Sequence, residues 1–289
     1  MSSQILKPRP FLKWCGGKGR MLRRILSRLP EKIGTYYEPF LGGGAVFFEL
    51  AGQKRFDRAV LGDMCPELMN TFQVVRDDVD TLIGILRQPQ YKYDKKAFLD
   101  VRRADPDKMD PTTRAARTIY LNHTCFNGLY RVNSHGRFNT PFGKYDSPTI
   151  CDEPNLRACS EALKLAELTE GDFEDVCTDA GPRDAVYLDP PYMPISKTSK
   201  FTQYTPGGFT YDDHVRLSRL FKELDDRGVS LVLSNSSHRD VLSLFDEFNV
   251  ETVSGSRSVG RPDKRESVPE IMVDNKETPC ETAASSMTP

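Results

Sequence analysis

A carboxylate followed by two prolines and an aromatic ring, Asp189-Pro190-Pro191-Tyr192, comes directly after the apolar run 185–188. That run predicts a short buried strand. A charged group at the tip of a buried strand costs free energy unless something outside the sheet uses it, and open α/β sheets bind ligands beyond the carboxyl ends of their strands. Prolines have no N–H, so this turn offers carbonyl acceptors beside a flat ring. The motif therefore predicts a pocket for a planar base that carries an exocyclic amine.

A second chemical motif is the glycine-rich turn Gly42-Gly43-Gly44, which joins a predicted strand to a predicted helix. Asp63 lies 21 residues past Gly42, at the end of the next predicted strand. Nucleotide-binding folds place a carboxylate there to bind ribose hydroxyls. The spacing departs from GxGxxG, the pattern that approaches a pyrophosphate, which disfavours NAD. An adenosyl ligand without phosphate, S-adenosylmethionine, fits this turn better.

A third motif, residues 11–18, supplies an aromatic ring, two glycines and a lysine near the start of the chain. Trp14 and Lys18 are candidates to contact the adenine end or the carboxylate of the cofactor. The ordinary alternative is that this segment only caps the sheet.

The elements that must position these motifs alternate between strands and helices at both ends of the chain. This alternation predicts an α/β fold with a doubly wound, mostly parallel sheet. The middle of the chain breaks the alternation and predicts a mainly helical insertion. Local patterns predict a helix over 66–86, a loop and short hairpin over 126–145, a central strand over 229–233, a helix over 241–248, and a closing hairpin from 250–253 and 270–273.

Composition sets outer limits on the function. The chain has 289 residues, of which 38% are hydrophobic and 28% charged, as expected for a soluble globular protein. It contains no apolar run of membrane-spanning length and no signal-peptide pattern near Met1. Seven cysteines without CxxC spacing predict reduced thiols, a cytoplasmic location (in a bacterium or encoded by a phage) and no metal site.

The formal net charge of −1 hides a strong asymmetry. Residues 1–30 hold eight Lys or Arg and no acid, and residues 111–145 hold five and no acid. A protein that binds a polyanion needs a basic face rather than a basic total. Two such runs favour a nucleic-acid partner over ordinary solvated charge, and the basic segment 256–266 is either a loop at the DNA or a flexible turn.

Taken together, these motifs resemble the Dam-type DNA adenine-N6 methyltransferases. The resemblance is carried by Phe11 to Lys18, Glu38-Pro39-Phe40 with the glycines that follow, Asp63, Tyr120-Leu121-Asn122, Phe126 to Arg131, Asn139 to Tyr145, and Asp189 to Tyr192, all in the order of the family. It implies a sheet of the class I methyltransferase type with S-adenosylmethionine as methyl donor and no metal. It also implies a catalytic domain of residues 1–65 and 149–274, a target-recognition domain of residues 66–148, and a flexible tail of residues 275–289.

The resemblance assigns Trp14, Lys18, Asp63 and Asp189 to the cofactor and active site, and Phe40, Gly42 and Gly44 complete the expected cofactor site. The chemistry of the residues agrees. Adenine N6 is a poor nucleophile because its lone pair delocalises into the ring. If the Asp189 carboxylate and the Pro190 carbonyl each accept one N6–H while Tyr192 stacks on the base, the lone pair turns toward the methyl group. These three residues are the predicted catalytic set, and the base must leave the duplex to reach them.

The insertion is expected to read double-stranded DNA. Arg131 can donate twice to guanine O6 and N7, while Leu129 and Tyr130 are candidates for a wedge into the duplex. The resemblance points to GATC, with Asn127, Leu129, Arg131, Pro141 and Tyr145 at the DNA, and Arg137 and Lys144 are expected on phosphate. The alternative is that Phe126, Leu129 and Phe142 simply form a small core. His123 stands where many relatives carry Arg, which puts one DNA contact in doubt.

Three other functions are compatible with parts of this pattern. Amino methylation of cytosine N4, or of a base in RNA, would use the same amine-holding groups. A nucleotide- or DNA-binding module without catalysis would gain little from the acidic strand tip at Asp189, and an NAD-dependent oxidoreductase lacks its glycine pattern. A monomer with no membrane partner is expected.

Overall fold

The computed structural model describes residues 6–14, 16–18, 21–193, 208–253 and 269–276. A seven-stranded sheet in the order β3-β2-β1-β4-β5-β7-β6 forms the centre of the protein. The strands are β1 (Ile33–Glu38), β2 (Phe56–Asp63), β3 (Ala166–Glu170), β4 (Ala185–Leu188), β5 (Ser230–Ser236), β6 (Asn249–Val253) and β7 (Glu270–Asp274). The α-helices are α1 (Leu22–Arg28), α2 (Ala45–Gln53), α3 (Pro66–Asp77), α4 (Val79–Leu86), α5 (Lys95–Arg103), α6 (Pro111–Thr124), α7 (Glu153–Leu163), α8 (Phe173–Val176), α9 (Tyr211–Asp226) and α10 (Arg239–Leu242).

Strands β1 to β5 run parallel, and β7 pairs antiparallel with both β5 and β6. The prediction of a doubly wound, mostly parallel sheet is therefore confirmed, and so is the closing hairpin. The strand order reverses between β1 and β4, and such a reversal opens a crevice at the carboxyl ends of the two strands. Within the register, Tyr37 of β1 lies opposite Val186 of β4, so Phe40 and Asp189 follow at the same level on either side of the crevice.

Two helix predictions need correction. The segment 66–86 is two helices, because Asp78 (φ −143°, ψ 44°) leaves the helical region and ends α3 before α4 begins. Its carboxylate accepts a hydrogen bond from Thr112 Oγ1 at 3.0 Å, which ties this break to the start of α6. In place of the predicted helix 241–248, α10 covers Arg239–Leu242, and residues 243–248 form turns.

The insertion between β2 and β3 packs onto one face of the sheet. Its apolar side chains, including Phe72, Phe98 and Tyr120, belong to the same buried cluster as Tyr36 and Leu61 of the sheet. The other face is covered by α9 and its neighbours through a second cluster that includes Leu217 and Phe221. The predicted short hairpin in residues 126–145 is formed by a bridge between Val132 and Phe138, and a second bridge joins Phe142 to Cys125, just before this segment.

The end of the described chain is held by side-chain contacts. Asn275, expected to begin a flexible tail, donates to the Val229 carbonyl at 2.8 Å and accepts from the Leu231 amide at 2.8 Å. The predicted basic loop 256–266 and tail residues 277–289 lie outside the described residues. Among the described helices, none is both long enough and apolar enough to cross a membrane.

Candidate active site and DNA-reading face

The Asp189 carboxylate ends a chain of short hydrogen bonds at the tip of β4. Ser234 Oγ, on neighbouring β5, donates to Asp189 Oδ1 at 2.8 Å. The hydroxyl of Ser234 has one proton, and that proton is used in the bond to Asp189. Tyr187 Oη must therefore be the donor in its 2.8 Å contact with Ser234 Oγ. Lys18 Nζ approaches the same Asp189 oxygen at 2.7 Å. Ser234 and Lys18 therefore anchor the same carboxylate oxygen, Oδ1.

Lys18 is the cation of this site. Its side chain is only 6% exposed and also donates to Tyr192 Oη at 2.7 Å. Burial alone would lower the pKa of Lys18, but the adjacent Asp189 and Tyr192 outweigh that effect and raise it above its ordinary value. Burial, with Asp189 nearby, raises the pKa of Tyr192 as well. Lys18 therefore stays charged and holds Asp189 and Tyr192 together.

A second acid, Glu38, is buried at the end of β1. Its Oε2 accepts from Tyr36 Oη at 2.9 Å and from the Phe47 amide at 3.1 Å. Burial raises the pKa of Glu38 to about 8, although these two hydrogen bonds lower it. The nearby charge of Asp189 raises it by a smaller amount. Glu38 is therefore largely protonated at neutral pH and braces the first turn of α2.

The glycine turn and Asp63 form the opposite wall of the crevice. Asp63 Oδ2 accepts from the Gly42 amide and Oδ1 from the Cys65 amide, both at 3.0 Å. Burial raises the pKa of Asp63 to about 6 although backbone amides donate to it. Gly42 and Gly44 both have positive φ, 48° and 68°, which favours glycine. A Cβ on Gly42 would lie 2.9 Å from Trp14 Cδ1, so the Trp14 indole rests on this turn.

Aromatic rings surround Phe40 beside the crevice. Phe40 stacks on Phe173 with ring centroids 5.4 Å apart and meets Phe209 edge-on at 5.7 Å. Phe173 follows Gly171 and Asp172 at the carboxyl end of β3, which the sequence patterns do not predict as a strand. A signal for β3 is nevertheless present, since Gly171 and Asp172 follow the run 166–170, much as Gly62 and Asp63 end β2. Asp172 caps α8 and receives Arg216 at 2.8 Å.

We call residues 126–145 the reading block. Asn122 of α6 fixes its first turn, because Asn122 Nδ2 donates to the Gly128 carbonyl at 3.0 Å and to the Lys13 carbonyl at 2.8 Å. Asn127 adopts a left-handed conformation (φ 55°) and is exposed. His123 lies behind this turn, with its ring nitrogens 2.9 Å from the Phe11 carbonyl and 2.6 Å from the Thr149 carbonyl. His123 is thus used to hold backbone segments together.

The wedge prediction changes with the structure. Tyr130 stacks on Trp14 and Leu129 is half-buried, with its carbonyl accepting from Thr140 Oγ1 at 2.7 Å. Phe126, for which a place in a small core is the alternative prediction, is instead 51% exposed. Phe126 is therefore the large apolar side chain that this part of the reading block presents to solvent, and Tyr130 is not.

The polar residues predicted at the DNA differ in how they are held. Arg131 is exposed, and Asn139 holds its guanidinium by accepting from Nε at 2.7 Å and, through its carbonyl, from Nη2 at 3.4 Å. Arg137, expected on phosphate, instead pairs with Asp105 and Asp107. Pro141 and Lys144 are exposed.

Tyr145 is half-buried and closes the reading block. Its hydroxyl donates to the Cys125 carbonyl at 2.8 Å, and Lys13 Nζ lies 4.6 Å from its ring centroid. This stacked cation brings a basic group from the N-terminal segment to the reading block.

Comparison with known proteins decides the family. The family model for the D12 class of N6 adenine-specific DNA methyltransferases matches residues 14–259. The chain belongs to this family. It is 43% identical over 274 residues to the type II methyltransferase M1.LlaDCHI of Lactococcus lactis subsp. cremoris, covering 92% of this chain and 95% of that protein.

Two further relatives cover similar lengths. The type II methyltransferase M.MjaIII of Methanocaldococcus jannaschii is 41% identical over 288 residues, which is 93% of this chain and 100% of that protein. The DNA adenine methylase of Escherichia coli K12 is 31% identical over 256 residues, 88% of this chain and 90% of that protein. The prediction of an adenine-specific DNA methyltransferase is confirmed at the level of family and reaction, and DNA is its substrate.

Proposed function

We propose that this D12 methyltransferase transfers the methyl group of S-adenosylmethionine to adenine N6 in double-stranded DNA, within GATC, after the base has left the duplex. The observation that carries the proposal is the anchoring of Asp189 Oδ1 by both Lys18 and Ser234. This arrangement fixes a carboxylate at the end of β4, where its second oxygen would accept a hydrogen bond from an exocyclic amine.

The residues present fit an adenosyl donor in the crevice between β1 and β4. The turn at Gly42 and Gly44 has no side chain. Asp63, which holds that turn by its Oδ2, ends the strand after which such folds bind the ribose. Phe40 and Phe173 supply aromatic surface at the carboxyl ends of β1 and β3. When bound, the donor supplies an electrophilic methyl group on a positively charged sulfur.

The chain's own groups would then prepare the nucleophile. Asp189 Oδ2 and the Pro190 carbonyl accept the two N6–H bonds, and the ring of Tyr192 packs against the base. Lys18 fixes the position of the Asp189 carboxylate, so the acceptor needs no reorganisation during transfer. Asp189 would accept, along its hydrogen bond from N6–H, the proton that N6 loses when it is methylated.

DNA would be read by the reading block as part of a recognition domain of residues 66–148, set against a catalytic domain of residues 1–65 and 149–274. Arg131, oriented by Asn139, would donate to guanine in the major groove. We expect the DNA also to contact Asn127 and Pro141, which are exposed, and Leu129 and Tyr145, which are half-buried. Lys144, also exposed, would contact phosphate. Phe126, which is exposed, would fill the space left by a flipped base. In the free protein Arg137 is paired with Asp105, so a phosphate contact would require exchange of that partner.

The experiment that tests site and substrate together uses labelled S-adenosylmethionine with matched duplexes. One duplex contains GATC, and the control has the same composition with the four bases rearranged. Of the two duplexes, we expect only the GATC duplex to be methylated. The corresponding GATC single strand should incorporate less label than the GATC duplex. Equal incorporation into both duplexes would refute the proposed sequence, and incorporation into the single strand alone would refute the duplex substrate.

A further inference from the structure

One aromatic contact joins the donor crevice to the reading block. The Trp14 indole rests on the glycine turn, since a Cβ would lie 2.9 Å from Trp14 Cδ1 at Gly42 and 3.4 Å from Trp14 Cβ at Gly43. The same indole stacks on Tyr130, with ring centroids 5.2 Å apart and planes 24° apart. A single side chain thus touches both the turn that would hold the donor and the segment that would read DNA.

Tyr130 continues the contact on both sides. It lies between Leu129 and Arg131 in the chain, and its ring meets Phe138 of the facing hairpin strand edge-on at 5.8 Å. Burial raises the pKa of the Tyr130 hydroxyl, and the Cys65 thiol adds a smaller contribution. The Cys65 amide donates to Asp63, which forms the expected ribose wall of the crevice.

The backbone beside this stack is clamped as well. Asn122 binds residue 13 through both peptide groups, accepting from the Lys13 amide and donating to the Lys13 carbonyl, each at 2.8 Å. A Cβ on Gly128 would lie only 2.6 Å from Lys13 Cβ. The segment that carries Trp14 and the turn that precedes Leu129 therefore cannot shift independently.

We propose that Tyr130 is a positioning residue that couples binding of the methyl donor to binding of DNA, through its stack on Trp14. This inference rests on the proposed function, because it assumes that both ligands bind where that proposal places them. A donor that presses on the glycine turn restricts the indole, and the indole restricts the segment that carries Leu129 and Arg131. Such coupling is reciprocal, so bound DNA must tighten donor binding by the same factor.

The test measures the affinity for S-adenosylhomocysteine, a donor analogue without the methyl group, in the absence and presence of saturating GATC duplex. Trp14 is the only tryptophan of the chain, so its fluorescence reports on this contact directly. We expect DNA to tighten binding of the analogue by at least about 5-fold in the unmodified protein. Tyr130→Leu should reduce that factor to below about 2-fold, and Tyr130→Phe, which keeps the ring, should preserve it.

A matched control is Tyr93→Leu. Tyr93 is another stacked aromatic of the insertion, 5.0 Å from Phe142, and its hydroxyl binds the reading block at Gly143 and Tyr145. We expect this variant to weaken DNA binding while the coupling factor stays that of the unmodified protein. If Tyr130→Leu does not fold, as judged by circular dichroism, Tyr130→Met fills the same space with a flexible chain.

The outcomes separate the two proposals. If the unmodified protein binds neither the analogue nor the GATC duplex, the proposed function fails and the coupling fails with it. If it binds both without coupling, or if the folded Leu or Met variant keeps the full factor, the role of Tyr130 is refuted while the proposed function stands. Loss of coupling in Tyr93→Leu as well would also refute it, because the effect would then not pass through Trp14.

Discussion

Substitution of Ser234 is the most direct test of how the Asp189 carboxylate is positioned. Ser234→Ala removes the hydroxyl that donates to Asp189 Oδ1 at 2.8 Å and leaves Lys18 as the remaining anchor on that oxygen. A hydrogen bond to a charged group contributes about 1.5–3 kcal/mol. If that contribution is needed to aim the carboxylate at N6, methyl transfer should slow by about 10- to 150-fold.

The assay is single-turnover methyl transfer to a GATC duplex with saturating donor, because it separates chemistry from product release. We expect the transfer rate to fall while the affinities for S-adenosylhomocysteine and DNA change by less than about 2-fold, since Ser234 faces Asp189 rather than either binding surface. Ser230→Ala is the matched control. It makes the same substitution at the opposite end of β5, and we expect the full rate.

Stability and positioning can be separated at this site. Ser234→Ala also removes the acceptor of Tyr187 Oη, whose residue is 1% exposed, and a buried unpaired hydroxyl costs about 1–3 kcal/mol. Adding Tyr187→Phe removes that hydroxyl and should restore the free energy of unfolding. The transfer rate should stay low in the double variant. Recovery of the rate together with stability, or a normal rate in Ser234→Ala alone, would refute the positioning role.

Three further predictions concern Glu38, Arg131 and Gly42. Burial raises the pKa of Glu38 from 4.5 to about 8, so the stability that Glu38 contributes is complete below pH 4.5 and is lost as pH rises through about 8, by at most about 5 kcal/mol. Glu38→Gln should therefore flatten the pH dependence of urea unfolding between pH 4.5 and 8, and an unchanged slope would contradict the raised pKa of Glu38. Arg131→Ala should cost about 1–3 kcal/mol of discrimination at one base pair of the target, measured by competition between GATC and single-base variants, and an unchanged preference would show that another group reads the guanine. Gly42→Ala forces alanine into positive φ and brings its Cβ too close to the Trp14 indole. It should lower the free energy of unfolding by about 1–3 kcal/mol and weaken binding of S-adenosylhomocysteine, and an unchanged unfolding midpoint would refute the close packing of the indole.

The sheet can be predicted largely because its strands carry simple patterns. Buried parallel strands are short continuous apolar runs, as in 185–188, and each ends at a turn or an acid. β3 escapes prediction because its residues 166–170 are mostly polar and follow closely on α7, so the pattern continues the helix. The break at Asp78 escapes prediction because Val75, Val79 and Leu82 keep helical spacing across it.

The active site can be predicted only in part. Asp189, Lys18 and Asp63 belong to local motifs whose residue types and spacing indicate chemistry, whereas Ser234 lies 45 residues from Asp189 in a strand with the pattern of the core. No local pattern reveals that β4 and β5 bring Asp189 and Ser234 together. The same holds for the stack of Trp14 on Tyr130, which joins residues far apart in the chain.

Contacts between distant segments reduce the basic surface that the sequence predicts. Residues 111–145 contain no acid, yet Arg114 pairs with Glu67 and Arg137 with Asp105, both outside that run. Arg117 is buried and donates to the carbonyls of Val101 and Arg102. An acid-free stretch of sequence therefore need not be a basic surface, and within this stretch Arg131 and Lys144 remain exposed and without an ion pair among the described residues.

The central claim is that Asp189 activates adenine N6 without being needed to bind DNA. The direct measurement incubates the unmodified protein and Asp189→Ala with labelled S-adenosylmethionine and a GATC duplex, digests the DNA to nucleosides, and measures duplex affinity in parallel. We predict labelled N6-methyl-2′-deoxyadenosine from the unmodified protein, none from Asp189→Ala, and similar duplex affinity for both. Label on cytosine, or normal turnover by Asp189→Ala, would contradict this mechanism.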